Sequence, residues 1–600
     1  VHVVATSGHV DSGKSTLVRA LTGMEPDRWE EERRRGLTID LGYAWTTLPS
    51  GQDVAFVDVP GHERFLGNML AGIGPAPVVC FVVAADEGWQ AQSSDHRDAV
   101  AALGIEHGVV VLSRADRASR ERVADVLART RSELAGTGLK DAPAVAVSAI
   151  DGTGLADLRT ALDDVLSQVP APATTGRVRL WVDRSFTITG SGTVVTGTLA
   201  AGALAQGDRL QLLGHAGSRT VTVRGLQSRD TSYASVEPVS RVALNVRDVA
   251  PTDIRRGDAL VTPDAWPATG VVGIQRITGV AYMDVPEQLM VHVGTASVPA
   301  RLRPFGTDHA RLVLDRPLPL VLGDRMVLRD PGSRSVLGGA RVLDADPPAL
   351  ERRGDGARWA ERLAGMDPAG DLLGEVAARG AVQVQHLRRL GLLPGQDADA
   401  DAPSGVRTLG DWWVHAPVLE AWQDRLRNAV QALQERDPLA PGLSMGAARD
   451  LLRLPDERLL PHVIHGAALD QDSGHIRLPG SQGNLGPVEP AIAELERRLG
   501  ANAFHAPEAD ELAALGLGAR ELAAAERTGR LLRLRDGVVL LPTAPALAMR
   551  TLARLDQPFT TSEARQALDT TRRIAVPLLE HLDSRGWTRR LDAGHRSVVR

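Results

Sequence analysis

The sequence predicts a multidomain chain: an α/β domain first, then two antiparallel β-barrels, then a helical array interrupted by short hairpins. Three observations carry that expectation. The chain has 600 residues, too many for one hydrophobic core. Apolar strands alternate with amphipathic helices up to about residue 170. The pattern then changes twice, after residue 176 to short strands between glycine and aspartate turns, and after residue 356 to helices followed by glycine-containing hairpins.

Within the first region, Val1–Thr6, Val54–Val57, Val78–Ala84, Val109–Leu112 and Ala144–Val147 read as strands. Ser15–Leu21, Ser94–Leu103 and Arg120–Leu134 read as helices, so a parallel sheet covered on both faces is expected. Val169–Gly176, with two prolines, reads as a linker. In the second region Gly190–Gly197, Gly202–Asp208 and Arg256–Asp258 mark the short-strand pattern of barrels, with a boundary near Thr262–Thr269. Asp346–Gly356 is a second linker. Beyond it, helices Glu521–Arg527 and Ile574–Arg585 precede hairpins in Gly529–Pro542 and Gly586–Arg600, the pattern of small winged helix-turn-helix units. Trp587 is expected to anchor the last of these cores.

Composition excludes several classes. The net charge of -6 argues against a uniformly basic nucleic-acid coat, while leaving room for local basic patches. The single cysteine, Cys80, rules out an intrachain disulfide and a cysteine-rich zinc site, and reads as a small buried hydrophobe. No apolar run is long enough to span a bilayer and no signal-peptide pattern opens the chain, so a cytoplasmic protein without a membrane partner is expected. Lysine occurs only at Lys14 and Lys140, against a background of arginine.

The strongest motif is Gly8-His9-Val10-Asp11-Ser12-Gly13-Lys14-Ser15, followed by Thr16. It has the spacing of a phosphate-binding loop between a strand and a helix. Glycines let backbone N–H groups wrap phosphate oxygens, and the helix N-terminus adds partial positive charge. Lys14 reaches the β and γ phosphates, and Ser15 offers a hydroxyl to Mg2+. Four elements follow in the order a GTPase needs. Arg35–Asp40 is a switch loop whose Thr38 completes the Mg2+ shell. Asp58-Val59-Pro60-Gly61-His62-Glu63 supplies a carboxylate for Mg2+ and the Gly61 N–H for the γ-phosphate. Ser113-Arg114-Ala115-Asp116 is the base-reading element, and Ser148-Ala149 closes the base site.

GHVDSGKS, RGLTID and DVPGHE resemble the GTPase domain of translation factors such as elongation factor Tu. The resemblance implies bound GTP and Mg2+, with His62 positioning the attacking water. Val10 and Leu37 are implied as the apolar pair that holds that histidine back until the ribosome triggers it. The base element departs from the family, which has Asn or Thr and then Lys where this chain has Ser113 and Arg114. Asp116 is retained, so guanine preference is expected to survive.

LWVDRSFT (Leu180–Thr187) and ITGSGTVVTGTL (Ile188–Leu199) look like the first barrel of several translation factors. RGLTIDLGYAW (Arg35–Trp45), RVALN (Arg241–Asn245) and a chain that continues well past the second barrel most resemble bacterial selenocysteine-specific elongation factors. That resemblance implies an α/β P-loop GTPase domain, two β-barrels and a C-terminal array of winged-helix domains. The expected spans are 1–172, 176–264 and 268–346, then winged helices 357–420, 421–488, 489–545 and 546–600. It further implies a monomer that delivers selenocysteyl-tRNA to the ribosome at a UGA codon marked by a selenoprotein mRNA hairpin. A selenol is more acidic than a thiol, whose reference pKa is about 8.5, so the aminoacyl group is an anion at neutral pH. A cationic pocket would favour it over the seryl hydroxyl. Asp183, Arg184, Arg241 and Tyr43 match that pocket. Arg572, Arg573 and Arg596, with Arg589, Arg590 and His595 nearby, are the RNA-binding candidates. Two alternatives stand beside this reading: another tRNA-delivering or initiation GTPase, or an RNA-binding adaptor that uses GTP structurally.

Overall fold

The computed structural model describes residues 2–26, 38–170, 174, 176–188, 192–393, 400–480 and 485–599. Arg35, Gly36 and Leu37 of the switch loop, Gly190 of the first barrel and part of the Val169–Gly176 linker lie outside them. The chain forms two compact units, Val1–Ser404 and Gly405–Arg600, whose boundary falls inside the 357–420 span.

The first unit opens with strands β1 (His2–Ser7), β2 (Gly42–Thr47), β3 (Asp53–Asp58), β4 (Val78–Ala84), β5 (His107–Ser113) and β6 (Ala144–Ala146), in sheet order β2-β3-β1-β4-β5-β6. β4 is buried along its whole length, as a central strand covered on both faces must be. Burial pushes the Cys80 thiol on that strand up to about 12, so it stays neutral. The expectation of an all-parallel sheet needs one correction. β2 runs antiparallel to β3, pairing Gly42 with Asp58 and Thr47 with Asp53, at the sheet edge. An edge strand entered from a loop needs no crossover helix, so either direction is open to it.

Two rings of strands follow. In the first, Arg179–Ile188, Gly192–Leu199, Ser240–Val246, Gly217–Ser228, Arg209–Gly214 and Ala259–Val261 pair in that order and close on themselves. The second is a closed barrel of Thr269–Gly279, His309–Leu318, Ala296–Pro304, Gln288–Val293, Arg325–Arg329 and Val336–Asp344. Alternate residues point inward, as in Ala296–Pro304, where Ala296, Val298, Ala300 and Leu302 are buried. The helix Asp355–Ala364 docks on this barrel through buried Trp359, whose indole N–H donates to Asp344 Oδ2 at 3.2 Å.

The second unit alternates helices with short hairpins. Its last element group is helix Thr561–Ala567, helix Arg572–Ser584 and the wing Thr588–Arg590/His595–Val598. A reciprocal capping box between Thr560 and Glu563 starts the first of these helices. Trp587 does not anchor this core: it is 40% exposed. It follows directly on the Gly586 turn, at the root of the wing, and the core is filled instead by Phe559, Leu568, Ile574, Leu578, Leu579 and Leu582. That apolar cluster is continuous with Ile492, Leu499 and Leu540 of the preceding unit, so the last two winged-helix units share one core.

Candidate functional site

The phosphate loop leaves β1 and enters helix Lys14–Thr22 through Gly13, whose φ of 84° favours glycine. Gly8 has a φ of 132°, and a side chain there would collide with the Val82 carbonyl of β4. The loop is thus pressed onto the sheet. Lys14 is buried, and its ammonium donates to the carbonyls of Gly8 at 2.9 Å and His9 at 2.6 Å. Ser12 is buried too, and its Oγ and His9 Nδ1 find no hydrogen-bond partner among the described residues. Buried orphans at a loop of this shape suit oxygen-rich phosphate.

A cleft of about 510 Å³ opens beside the loop, lined by Val10, Asp11, Gly13, Lys14, Ser15, Thr16, Thr38, Gly61, Ser113, Arg114, Asp116 and Ala149 among others. At its floor Ser15 Oγ donates to Asp58 Oδ2 at 2.6 Å and lies 3.0 Å from Thr38 Oγ1. Thr6 Oγ1 holds the other Asp58 oxygen at 2.7 Å. The three residues assigned to the metal therefore converge, and two hydroxyls with a carboxylate form the all-oxygen donor set that Mg2+ prefers. Ser113 and Arg114 take on jobs of their own. Ser113 Oγ donates to the Ser12 carbonyl at 2.6 Å, tying the base element to the phosphate loop. Arg114 donates to the Asp11 carbonyl and pairs with Glu87 at 2.7 Å. Ser148, fully buried, accepts the N–H groups of Ile150 and Asp151 at 3.4 Å and shapes the turn behind Ala149.

His62 is not among the residues lining the cleft. Its Nδ1 accepts the Arg64 N–H at 3.2 Å and caps the short turn that follows. Another histidine, which the sequence did not single out, stands closer to the loop. His96, in helix Ala91–Leu103, is buried, with Nδ1 accepting the Gly8 N–H at 2.9 Å and lying 3.1 Å from Ser7 Oγ. Burial first, then the positive charge of Lys14, lowers its pKa to about 3, so it is a neutral strut.

The second cluster forms where the first barrel meets β2. The pairing of Arg179–Ile188 with Gly192–Leu199 slips between Val182 and Arg184, a bulge centred on Asp183. Asp183 is buried, and both its oxygens hold the Arg241 guanidinium, Nη2 to Oδ1 at 3.0 Å. Thr196 Oγ1 donates to the same Oδ1 at 2.5 Å. Burial alone would raise the Asp183 pKa, but Arg241, Thr196 and Arg184 together outweigh it and hold the carboxyl below the usual range. Arg241 lies 3.4 Å and Arg184 5.1 Å from the centre of the Tyr43 ring. The Tyr43 hydroxyl and Arg184 Nε are buried without a hydrogen-bond partner among the described residues. All four residues assigned to this pocket therefore meet. Three others join them: Asp40, Asn68 and Arg256. Asp40 closes the RGLTID motif, so a signal for it existed, whereas Asn68 and Arg256 carried none.

At the C-terminus the three RNA candidates separate. Arg572 is exposed at the start of its helix. Arg573 donates to the carbonyls of Ala506 at 3.0 Å and Pro507 at 3.2 Å and pairs with Glu508 at 3.2 Å. Arg596 is buried, with Nε on Asp583 Oδ2 at 2.9 Å and Nη1 on Thr561 Oγ1 at 3.1 Å. The structure thus gives Arg573 and Arg596 internal partners, because the wing and the preceding unit pack directly against the helix that carries Arg573.

Comparison with known proteins agrees with this architecture. Residues 1–168 match the elongation factor Tu GTP binding domain, 276–349 the selenocysteine-specific elongation factor beta-barrel domain, and 550–596 the elongation factor SelB winged helix. The phosphate loop, its switch residues and the first of these matches define a translational GTPase. The selenocysteine-specific elongation factor of Escherichia coli (strain K12) is 33% identical over 503 residues, covering 82% of this chain and 80% of that one. That of Desulfomicrobium baculatum is 28% identical over 98% of both chains. The chain belongs to the selenocysteine-specific elongation factor family and is a GTP-binding translation factor of that specificity. A crystal structure of a bacterial selenocysteine-specific elongation factor, EF-Sec, shares the fold over 100% of both chains, with a TM-score of 0.74 at 23% identity. The translation initiation factor 2 gamma subunit of Methanosarcina mazei is 29% identical but matches only 56% of this chain. No helix among the described residues is long and apolar enough to cross a membrane.

Proposed function

We propose that this GTPase carries selenocysteyl-tRNA to the ribosome, at a UGA codon marked by an mRNA hairpin held by its C-terminal winged helices. It acts as a cytoplasmic monomer. The observation that carries this reading is the cluster on the first barrel. Two arginines, Arg184 and Arg241, are packed over Tyr43, and Asp183 fixes one of them in place. Such a cluster stabilises a selenolate and gives a neutral seryl hydroxyl much less. In the cleft, Ser15, Thr38 and Asp58 would hold Mg2+, which when bound neutralises phosphate charge. Lys14 and the loop amides bind the phosphates, Asp116 reads the base, and His62 orients the attacking water. Val10, one member of the proposed apolar gate, lines the cleft.

The test is binding of selenocysteyl-tRNA and seryl-tRNA to the GTP-bound protein and to its Arg241→Ala variant. The variant should lose roughly tenfold or more of its preference for selenocysteyl-tRNA, the size of one hydrogen bond to a charged group. An unchanged ratio of the two affinities would move the pocket elsewhere and favour a general tRNA-delivering factor.

A further inference from the structure

Arg256 lies in the turn before Ala259–Val261, and its guanidinium is held from three sides. Nε donates to the Asp183 carbonyl at 2.9 Å. Nη1 donates to Asn68 Oδ1 at 2.8 Å, and Nη2 to Asp40 Oδ1 at 2.6 Å. The first partner belongs to the aminoacyl pocket, and its side chain holds Arg241. The other two follow closely in sequence on residues at the metal and phosphate positions. Asp40 comes two residues after Thr38, which stands beside Ser15 at the metal position. Asn68 is in helix Leu66–Ile73, just beyond Gly61 and His62, and its amide donates to the Ile39 carbonyl at 2.9 Å. Asp40 also faces Arg184 at 3.5 Å.

The barrel end of this connection is stiff. The Gly257 N–H donates to the Val182 carbonyl at 3.0 Å, and the Val182 N–H to the Asp258 carbonyl at 2.8 Å. The turn bearing Arg256 is therefore pinned to the strand immediately before the Asp183 bulge. Gly257 permits this with a φ of 89°.

We propose that Arg256 is a positioning residue that transmits the nucleotide state to the aminoacyl pocket; this rests on the reading of Asp183, Arg184 and Arg241 as that pocket. With the γ-phosphate present, Thr38 and Gly61 are held, and Asp40 and Asn68 offer their oxygens in fixed places. The planar guanidinium can then satisfy all three acceptors at once, keeping the Asp183 backbone seated and Arg184 beside Asp40. Without the γ-phosphate, the Asp40 and Asn68 acceptors move and Arg256 loses two of its three partners. Arg241 stays on Asp183, but the second cation is no longer set. The pocket is thereby complete only in the GTP state. A lysine has the charge but not the fork, so it cannot make the three bonds together.

The experiment uses the full chain as wild type, Arg256→Gln, Arg256→Lys, Asp40→Asn and the Arg256→Gln/Asp40→Asn double variant, with Arg241→Ala alongside. Selenocysteyl-tRNA affinity is measured with a non-hydrolysable GTP analogue and with GDP. Nucleotide affinity is measured with and without the tRNA. Wild type should bind the tRNA more tightly with the analogue. Arg256→Gln and Asp40→Asn should each shrink that ratio roughly tenfold or more, acting on the GTP state. The double variant should lose clearly less than the sum of the two single losses, because both remove the Arg256–Asp40 bond. By reciprocity, the tRNA should lose the same factor in its preference for GTP-bound over GDP-bound protein. If Arg256→Gln fails to fold, Arg256→Lys carries the test and should lose the coupling equally. A wild-type ratio in the folded Arg256 variants, or additive effects of the Arg256 and Asp40 substitutions, overturns the relay. If Arg241→Ala abolishes discrimination while the ratio is untouched in Arg256→Gln, only the relay fails. If Arg241→Ala changes nothing, the pocket reading fails and takes the relay with it.

Discussion

Asp116→Asn should turn a GTP-binding protein into one that prefers XTP. Other groups in the cleft are poorly placed to read a purine. Ser113 has its hydroxyl on the Ser12 carbonyl. Arg114 is a cation already committed to Glu87 and the Asp11 carbonyl, and it cannot accept the guanine N1 and N2 protons. Among the other acidic residues lining the cleft, Glu25 pairs with Arg19 at 3.2 Å and Asp11 belongs to the phosphate loop. That leaves Asp116, exposed at the mouth on the base side. Two hydrogen bonds to its carboxylate are worth about 1.5–3 kcal/mol each. Because the carboxylate is well solvated when the base is absent, the lower end applies, about 3 kcal/mol in all, or roughly a hundredfold in Kd. The asparagine amide can donate to the xanthine carbonyl that replaces the guanine amine, so XTP should gain as GTP loses. Displacement of a fluorescent GTP analogue by GTP and by XTP, in wild type and variant, reads the ratio directly. A folded variant that still prefers GTP by the wild-type margin would refute the assignment.

Four further outcomes are expected. His62→Ala should bind GTP normally but lose about a hundredfold or more in single-turnover hydrolysis on ribosomes; the capping bond to Arg64 that wild type must break to swing the ring costs only about 1 kcal/mol. His96 and His292 are both buried, with pKa values lowered to about 3 by burial, so each takes up its proton only on unfolding. Their stability is fully present above the ordinary value of 6.5 and falls as pH drops from there toward 3. The fall should be about 2 kcal/mol per histidine by pH 5, seen as a declining thermal midpoint whose slope flattens in a His96→Gln/His292→Gln variant. Arg572→Ala should weaken binding of the mRNA hairpin and lower its salt dependence by about one counterion without changing stability, whereas Arg573→Ala should lower the unfolding midpoint of a fragment spanning residues 485–600. That fragment should give a dispersed amide spectrum on its own, and residues 546–600 alone should not, because their core continues into the preceding unit.

Most of the nucleotide cleft was legible in the sequence because its pieces are short and contiguous: a phosphate loop, Asp58 to Gly61 and Asp116 each announce themselves within a few residues. β4 was equally plain, since a wholly buried strand is an unbroken apolar run. β2 was not, because GYAWTT lacks alternation and becomes a strand only through its pairing with β3. Arg256 and His96 were missed for a different reason. The Arg256 bond to Asp40 spans 216 residues and the one to Asn68 spans 188. A lone polar residue has no pattern of its own, and its meaning comes only from partners that folding brings near. The same holds for Ser113, whose departure from its family looks like a loss until its hydroxyl is found fastening two loops together.

The arginine bias of the chain sharpens this distinction. Where nearly every cation is arginine, a cluster of arginines in the sequence does not by itself mark a nucleic-acid surface, since the same side chain serves as an interior fastener. Arginine suits both tasks, because its fork can satisfy several carbonyls or carboxylates at once. Arg177 shows the fastening use, donating to the carbonyls of Ala265, Arg388 and Arg389 while stacked 3.9 Å over Trp266. Arg573 and Arg596 belong with it. Both are paired and Arg596 is buried, so they help hold a small shared core together, and spending them on phosphate would mean giving up those bonds. What remains at the end of the chain is a smaller and more specific set. Arg572 sits at the start of its helix, and Arg589 and Arg590 on the wing beside exposed Trp587. Arg590 is itself tied to the wing turn, donating to the carbonyls of Asp592 at 3.1 Å and Ala593 at 3.3 Å, so under the proposed RNA-binding role Arg572 and Arg589 are the exposed cations to test first, next to a flat ring able to stack on an unpaired base.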